Sequence, residues 1–246
     1  VKPLLSLYFC AGCPEKDMTA DVILAMQRHG IDMIEVGIPF SDPLADGPVI
    51  QSAGTVALKN GMTLETLFGQ LDAIKSQVNI PLVLMGYLNV IMHYGYERFC
   101  QRCVECGVSG FIIPDLPFDD YLNEIKPLAD RYNLRCIMMI TPETSEERIR
   151  FIDRNTDGFI YMVSSASITG AQQNFDEAKQ QYFQRINAMN LHNPRMIGFG
   201  ISNRQTLESA QNNAAGAIIG SKFVTLLRAT GNADEALSQL FEALKK

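Results

Sequence analysis

The chain has 246 residues, of which 47% are hydrophobic and 20% are charged, and its formal net charge is -6. This length suits one large domain spanning residues 1–246, and an acidic balance without runs of Lys and Arg argues against nucleic acid binding. No apolar stretch approaches the roughly 18 residues of a membrane span, so we expect a cytoplasmic protein that binds neither nucleic acid nor a membrane.

Eight short apolar runs, each bounded by Gly, Pro or Asp, predict strands. In chain order they read LLSLYFC, DMIEVG, PLVLMG, GFIIPD, RCIMMI, GFIYMVS, RMIGFG and AGAIIG. Amphipathic stretches predict helices between the strands, with NADEALSQLFEALKK after the last one. Apolar strands that alternate with helices indicate a parallel sheet covered by helices. Eight such units predict an α/β protein with a single (β/α)8 TIM barrel, and an open doubly wound sheet is the alternative.

The six cysteines include two pairs with the spacing C-x-x-C, which are Cys10 with Cys13 and Cys103 with Cys106. That spacing occurs in redox pairs and in zinc sites. Tetrahedral zinc needs four converging ligands, whereas the three histidines of this chain are scattered singly. Cys100 and Cys103 follow each other at a helical step of three, so we expect most thiols to pack on helix faces or in the core, with no metal site.

Three loops that follow the predicted strands six, seven and eight are rich in Gly and Ser. They read SSASITGA at 164–171, GFGISN at 198–203 and GSKF at 220–223. The active sites of barrels of this class lie where strands run into the following loops, and small residues there let backbone N–H groups approach an anion. The three loops together favour a phosphorylated substrate, and the alternative is that the glycines only permit tight turns.

Two carboxylates in the stretch EVGIPFSDPLADGP are candidates for catalysis. Glu35 ends an apolar strand, where partial burial raises a carboxyl pKa and makes proton exchange near neutral pH feasible. The alternative for Glu35 is a salt-bridged residue at a strand end. Asp46 lies in the sequence ADG, which is also typical of a turn.

Several motifs together resemble the tryptophan synthase α subunit family. They are EVGIPFSDPLADGPVIQ, LMGYLN, GVSGFIIPDLP, SITGA, GFGIS and IIGS, in the order and spacing of that family. The resemblance implies a (β/α)8 barrel that cleaves indole glycerol phosphate by a retro-aldol reaction into indole and glyceraldehyde phosphate. It also implies a β subunit partner in an α2β2 assembly. That partner binds pyridoxal phosphate, receives the indole through an internal tunnel and is activated allosterically, whereas this chain itself needs no cofactor.

The resemblance assigns roles to individual residues. Glu35 matches the catalytic acid and base, Asp46 matches the aspartate that accepts the indole N–H bond, and Tyr161 completes the catalytic set. Asp42 and Pro43 belong to a loop that closes the site and contacts the partner. The residues that match substrate or phosphate contacts are Tyr8, Tyr87, Thr169, Gly170, Phe199, Gly200, Gly220 and Ser221.

The chain also departs from the family pattern. Ser167 stands where the family commonly has glycine, Ser165 lacks the arginine of some members, and Cys13 replaces a common acidic residue. These departures motivate a second hypothesis, a cleavage-impaired regulatory subunit that still binds and activates the β subunit. A third hypothesis is some other phosphate-binding barrel.

Overall fold

Eight parallel strands close into a barrel in the computed structural model, which describes residues 2–164 and 176–246. Strand order follows chain order, and the first strand pairs with both the second and the eighth. The strands are β1 (Leu4–Cys10), β2 (Met33–Gly37), β3 (Leu82–Met85), β4 (Gly110–Ile112), β5 (Arg135–Ile140), β6 (Ile160–Val163), β7 (Arg195–Gly198) and β8 (Gly216–Ile219). The predicted (β/α)8 barrel is therefore confirmed, and the open doubly wound sheet is wrong.

Helices follow the strands. They are α1 (Thr19–Arg28), α2 (Pro48–Lys59), α3 (Leu64–Ile74), α4 (Leu88–Tyr94), α5 (Tyr96–Glu105), α6 (Phe118–Asp120), α7 (Lys126–Arg131), α8 (Glu146–Asn155), α9 (Glu177–Ala188), α10 (Arg204–Asn213), α11 (Ser221–Thr230) and α12 (Ala233–Ala243). Polar residues begin several of them, because a side-chain oxygen satisfies an N–H group of the first turn. Thr63, Ser145 and Asn203 cap α3, α8 and α10 in this way.

Alternation along each strand divides the apolar residues into two layers. One layer fills the barrel interior and includes Met33, Val83 and Ile218, and the other lies between the strands and the surrounding helices. On β2, Ile34 and Val36 belong to the outer layer. The same alternation turns Glu35, which lies between them, toward the interior of the barrel.

All six cysteines are buried and free. Cys100 and Cys103 lie on the buried face of α5, as the spacing predicts. Burial raises the pKa of every one of the six thiols. Within residues 2–164 and 176–246, no three His, Cys, Asp or Glu residues come together in a way that could hold a metal ion.

Four residues from the sequence analysis lie outside the described residues. They are Ser165, Ser167, Thr169 and Gly170, all within residues 165–175. In the part of the chain that is described, no helix is long and apolar enough to cross a membrane.

Candidate active site

A pocket opens at the carboxyl ends of the strands and holds about 670 Å³ of empty space, counting the part open to solvent. Its floor is the barrel interior, and its walls are the loops after β2, β7 and β8. The lining residues are Tyr8, Glu35, Asp46, Gly47, Ile50, Met85, Tyr161, Phe199, Gly200, Ile201, Ser202, Ile218, Gly220, Ser221 and Lys222. This is the face of the barrel on which enzymes of this fold carry their active sites.

Glu35 lies at the bottom of the pocket. Its side chain is fully buried, and neither carboxyl oxygen has a hydrogen-bond partner among the described residues. Burial without compensation disfavours the charged form and raises the pKa of Glu35 to about 8. At neutral pH, Glu35 therefore carries a proton that it can give to a bound molecule. The alternative of a salt-bridged residue is wrong, since no cation pairs with it in the described structure.

Asp46 comes from the loop after β2 and is fixed by Tyr87. The Tyr87 hydroxyl donates to Oδ2 of Asp46 at 2.9 Å and accepts from the backbone N–H of Ala45 at 3.1 Å. The Tyr87 ring stacks on Phe40 with a centroid distance of 5.4 Å. Burial raises the pKa of Asp46 to about 6, although the hydrogen bond from Tyr87 acts in the opposite direction. Asp46 is therefore mostly ionised at neutral pH, while Glu35 is mostly protonated.

Two tyrosines form aromatic walls above the barrel interior. Tyr8 extends across Gly37 of β2, and Tyr161 extends across Gly198 of β7. A Cβ atom at either glycine would overlap the tyrosine hydroxyl, so only glycine leaves room for these rings. Burial raises the pKa of both tyrosines well above the usual value, and the nearby carboxylates add to the effect. Both phenols are therefore neutral, and their rings provide flat apolar surfaces for an aromatic ligand.

The loops after β7 and β8 form the opposite end of the pocket. Phe199 adopts a positive φ of 69° directly after β7, and its carbonyl accepts a 2.6 Å hydrogen bond from Ser164 Oγ. Helix α11 starts directly after Gly220, and no side chain caps this end. Its first backbone hydrogen bond runs from the N–H of Val224 to the carbonyl of Gly220, so the N–H groups of residues 221–223 have no partner among the described residues. Such a helix start, beside small residues, is suited to an anion.

Most of the predicted site residues that lie in the described chain meet in this pocket. Tyr87 is not in the lining but lies behind Asp46. Asp42 and Pro43 lie outside the pocket on the loop after β2, where Asp42 is exposed and its Oδ2 accepts from Ser41 Oγ at 2.6 Å. The roles assigned to Thr169 and Gly170 stay predictions, because both residues fall outside the described part of the chain.

Sequence reasoning missed several residues of the lining, notably Met85, Ile218 and Lys222. The period-2 alternation along β3 and β8 is a signal that places Met85 and Ile218 inside the barrel. Lys222 directly follows the Gly-Ser pair of the last loop. Its positive charge beside a predicted phosphate site is the sequence signal that points to this residue.

Comparison with known proteins gives one consistent family. The family model described as "Tryptophan synthase alpha chain" matches residues 2–246. Two curated proteins named tryptophan synthase alpha chain are 64% identical over 245 residues, in Phocaeicola vulgatus, and 63% identical over 243 residues, in Parabacteroides distasonis. Each alignment covers 99% of this chain and 95% of the relative.

Solved structures agree with the sequence relatives. A mutant tryptophan synthase alpha-subunit from the hyperthermophile Pyrococcus furiosus is similar to this chain with a TM-score of 0.90 and 32% sequence identity. The match covers 98% of this chain and 97% of that structure. The family model and the relatives extend over nearly the whole sequence, and the motifs that line the pocket fall within the match. The chain therefore belongs to the tryptophan synthase alpha chain family.

Proposed function

We propose that the chain cleaves indole glycerol phosphate into indole and glyceraldehyde phosphate by a retro-aldol reaction, with Glu35 as acid and base and Asp46 as the stabilising carboxylate. The observation that carries this assignment is that one pocket holds a protonated Glu35, an ionised Asp46, two aromatic walls and an anion-binding end. Cleavage of this substrate needs a proton donor, a carboxylate that stabilises the cation, apolar walls for the indole ring and a site for the phosphate group.

The reaction begins with a proton transfer from Glu35 to the indole ring carbon that carries the glycerol chain. Because the pKa of Glu35 is about 8, the side chain holds this proton at neutral pH. Protonation gives the ring a positive charge with iminium character at its nitrogen. Asp46 accepts the hydrogen bond of the ring N–H and stabilises the cation, and its negative charge acts strongly because the site is buried.

Cleavage follows from this cation. The deprotonated Glu35 takes the proton of the hydroxyl group on the adjacent carbon of the glycerol chain. The carbon–carbon bond then breaks, its electron pair returns to the ring, and the hydroxyl carbon becomes the aldehyde of glyceraldehyde phosphate. Indole leaves as a neutral molecule, and Glu35 is protonated again for the next cycle.

The two ends of the substrate use different parts of the pocket. Tyr8 and Tyr161 hold the indole ring, and Tyr161 has the ring of Phe199 at its edge with a centroid distance of 6.1 Å. Gly200, Gly220 and Ser221 bind the phosphate through backbone N–H groups and the start of α11. Thr169 and Gly170 complete the phosphate site, as the family resemblance implies.

The partner of the chain is a tryptophan synthase beta subunit that carries pyridoxal phosphate and receives the indole, in an α2β2 assembly. The chain itself uses no cofactor. The loop with Asp42 and Pro43 provides the contact, which is supported by the 84% exposure of the neighbouring Leu44, an apolar side chain without cover. We place the protein in the cytoplasm and treat residues 1–246 as one domain, since strands from both ends of the chain belong to the same barrel.

Indole release from indole glycerol phosphate tests the proposal, with and without the beta subunit. We expect Glu35→Gln and Asp46→Asn each to lower kcat/KM by roughly a hundredfold or more. Asp157→Asn is the control, because it removes an exposed carboxylate outside the pocket and should leave cleavage within about threefold.

Three outcomes separate the hypotheses. Wild-type release no faster than that of Glu35→Gln, under both conditions, would overturn the lyase assignment. If such a chain still accelerated tryptophan formation by the beta subunit, the regulatory subunit would be correct, although neither the comparisons nor the described pocket favours it. A non-cleavable substrate analogue that fails to protect residues 38–47 from proteolysis would indicate another phosphate-binding barrel.

A further inference from the structure

Lys222 is the only cationic residue among the described residues that line the pocket. It is the second residue of α11, next to Gly220 and Ser221. In a helix the Cα–Cβ bond tilts toward the amino terminus, so a side chain in the first turn extends toward the space in front of the helix. For α11 that space is the anion-binding end of the pocket.

The surroundings of Lys222 favour a bound anion. The start of a helix carries partial positive charge, which favours Asp or Glu and disfavours Lys. The first turn of α11 has no acidic residue, and the described structure gives Lys222 no hydrogen bond or ion pair. The segment 165–175, SASITGAQQNF, also contains no carboxylate in its sequence. Three sources of positive potential thus converge on one side of the pocket: the helix start, the free N–H groups and an ammonium group.

The charges elsewhere in the pocket explain why such an ammonium group is useful. Glu35 and Asp46 are the two carboxyl groups of the lining, and Asp46 is negative at neutral pH. A phosphate ester carries about -1.5 to -2 charges at pH 7, so a carboxylate in the same pocket repels it. Backbone N–H groups bind an anion but carry no net charge, and only Lys222 offsets this repulsion with a full charge.

We propose that Lys222 is a specificity-determining residue for the phosphate end of the substrate, and that its ammonium group binds the phosphate directly. The inference rests on the proposed function. Lys222 adds to the phosphate site a positive charge that the glycine and serine residues do not provide. Lys222 lies away from the reacting carbon–carbon bond, so its contribution is to substrate binding and not to the proton transfers.

Two variants and a control test the proposal. Lys222→Met removes the charge and keeps much of the side-chain volume, and we expect KM for indole glycerol phosphate to rise roughly five- to tenfold, with kcat within about twofold. Lys222→Arg keeps the charge and should restore KM to within about threefold of wild type. Lys245→Met makes the same net charge change at an exposed residue outside the pocket and should leave KM unchanged.

Inorganic phosphate serves as a probe that does not depend on catalysis. Its dissociation constant, measured by the shift in thermal unfolding, should rise roughly five- to tenfold in Lys222→Met and stay unchanged in Lys245→Met. Unchanged KM and unchanged phosphate affinity in Lys222→Met would overturn the proposal. If instead the wild type releases no indole but Lys222→Met still loses phosphate affinity, the proposed function fails while the phosphate contact of Lys222 holds.

Discussion

Glu35 and Asp46 lie in the same pocket, but different groups surround them. Neither oxygen of Glu35 has a hydrogen-bond partner in the described structure, whereas Asp46 accepts from the Tyr87 hydroxyl. Burial raises both pKa values, and the hydrogen bond keeps that of Asp46 lower. At neutral pH one carboxyl group is therefore neutral and the other is negative, which matches a reaction that needs one proton donor and one anion.

The two carboxyl groups predict a bell-shaped pH dependence of kcat/KM. In the proposed reaction Asp46 is ionised and Glu35 is protonated, so the rate should fall as the pH drops through about 6 and as the pH rises through about 8. Steady-state kinetics of indole release across this range would measure both limbs. A rate that keeps rising well above pH 8 would contradict the role of Glu35 as the acid.

Tyr87→Phe should shift the acid limb of this profile toward higher pH. The Tyr87 hydrogen bond lowers the pKa of Asp46, and its loss leaves the raising effect of burial unopposed. The phosphate of the substrate also ionises near pH 6, but a variant of the protein does not change that contribution. Tyr94→Phe removes a hydroxyl that bonds to Glu65 outside the pocket, and this control should keep the wild-type profile. An unshifted limb in Tyr87→Phe would argue that Tyr87 does not control Asp46.

At the scale of elements, the strands follow closely from local sequence. LLSLYFC and RCIMMI are apolar runs with clear boundaries, and they coincide with β1 (Leu4–Cys10) and β5 (Arg135–Ile140). The fourth run reads GFIIPD, but β4 ends at Ile112, since Pro114 lacks an N–H group for the ladder. Helix α2 is only weakly indicated by the sequence, because its small residues and Gly54 weaken the helical pattern even though Pro48 stands at a favoured first position.

The connection between α8 and β7 depends on a buried aspartate that sequence patterns do not single out. Asp153 accepts from the backbone N–H groups of His192 at 2.7 Å and Asn193 at 2.9 Å. Burial alone would raise the pKa of Asp153, but these bonds and the side-chain bond from Asn193 outweigh it and lower the pKa. The ionised carboxylate thus ties the helix to the segment that leads into the barrel.

Asp153→Asn should lower the free energy of unfolding by roughly 1–3 kcal/mol at neutral pH, because an amide nitrogen would face a backbone donor. A lowered pKa means that Asp153 stabilises the fold above its ordinary unfolded pKa and loses this effect as the pH falls through its folded pKa. The difference between variant and wild type should therefore narrow below about pH 4. Urea unfolding of the variant and the wild type, at neutral pH and below about pH 4, measures this difference.

Asp157→Asn is the matched control for this experiment. Asp157 lies four residues further along the chain, is exposed, and forms a surface ion pair with Arg135 at 3.3 Å. Its replacement should change the unfolding free energy by less than about 0.5 kcal/mol. Equal losses of unfolding free energy in the two variants would show that the buried hydrogen bonds of Asp153 stabilise the fold no more than a surface ion pair does.

At the scale of the whole molecule, barrel closure brings together residues that are far apart in sequence. Tyr8 pairs with Glu35 in neighbouring strands, and β8 returns beside β1, so Ser221 joins the same pocket. The sequence supplied the number of units and the loops that meet at one face. It did not supply the burial of Glu35 or the position of Tyr87 behind Asp46, because both depend on how side chains pack after the barrel closes.

Leu44→Ser should weaken binding of the beta subunit without changing the stability of the fold. The side chain is 84% exposed in the isolated chain, so the free energy of unfolding should change by less than about 0.5 kcal/mol. If the loop after β2 binds the beta subunit, the concentration of this chain needed for half-maximal activation of that subunit should rise roughly fivefold or more. Val104→Ser, at the opposite end of the barrel and 48% exposed, is the control and should leave activation unchanged.

The burial of all six cysteines also has a practical consequence. Thiol reagents react with accessible thiolates, and these side chains are neither accessible nor readily ionised. The native protein should therefore take up almost no maleimide while it stays folded. A single cysteine introduced by Leu44→Cys would then accept a fluorescent or spin label selectively, with every native cysteine left in place. Such a label would follow the movement of the loop after β2 in real time as substrate or the beta subunit binds.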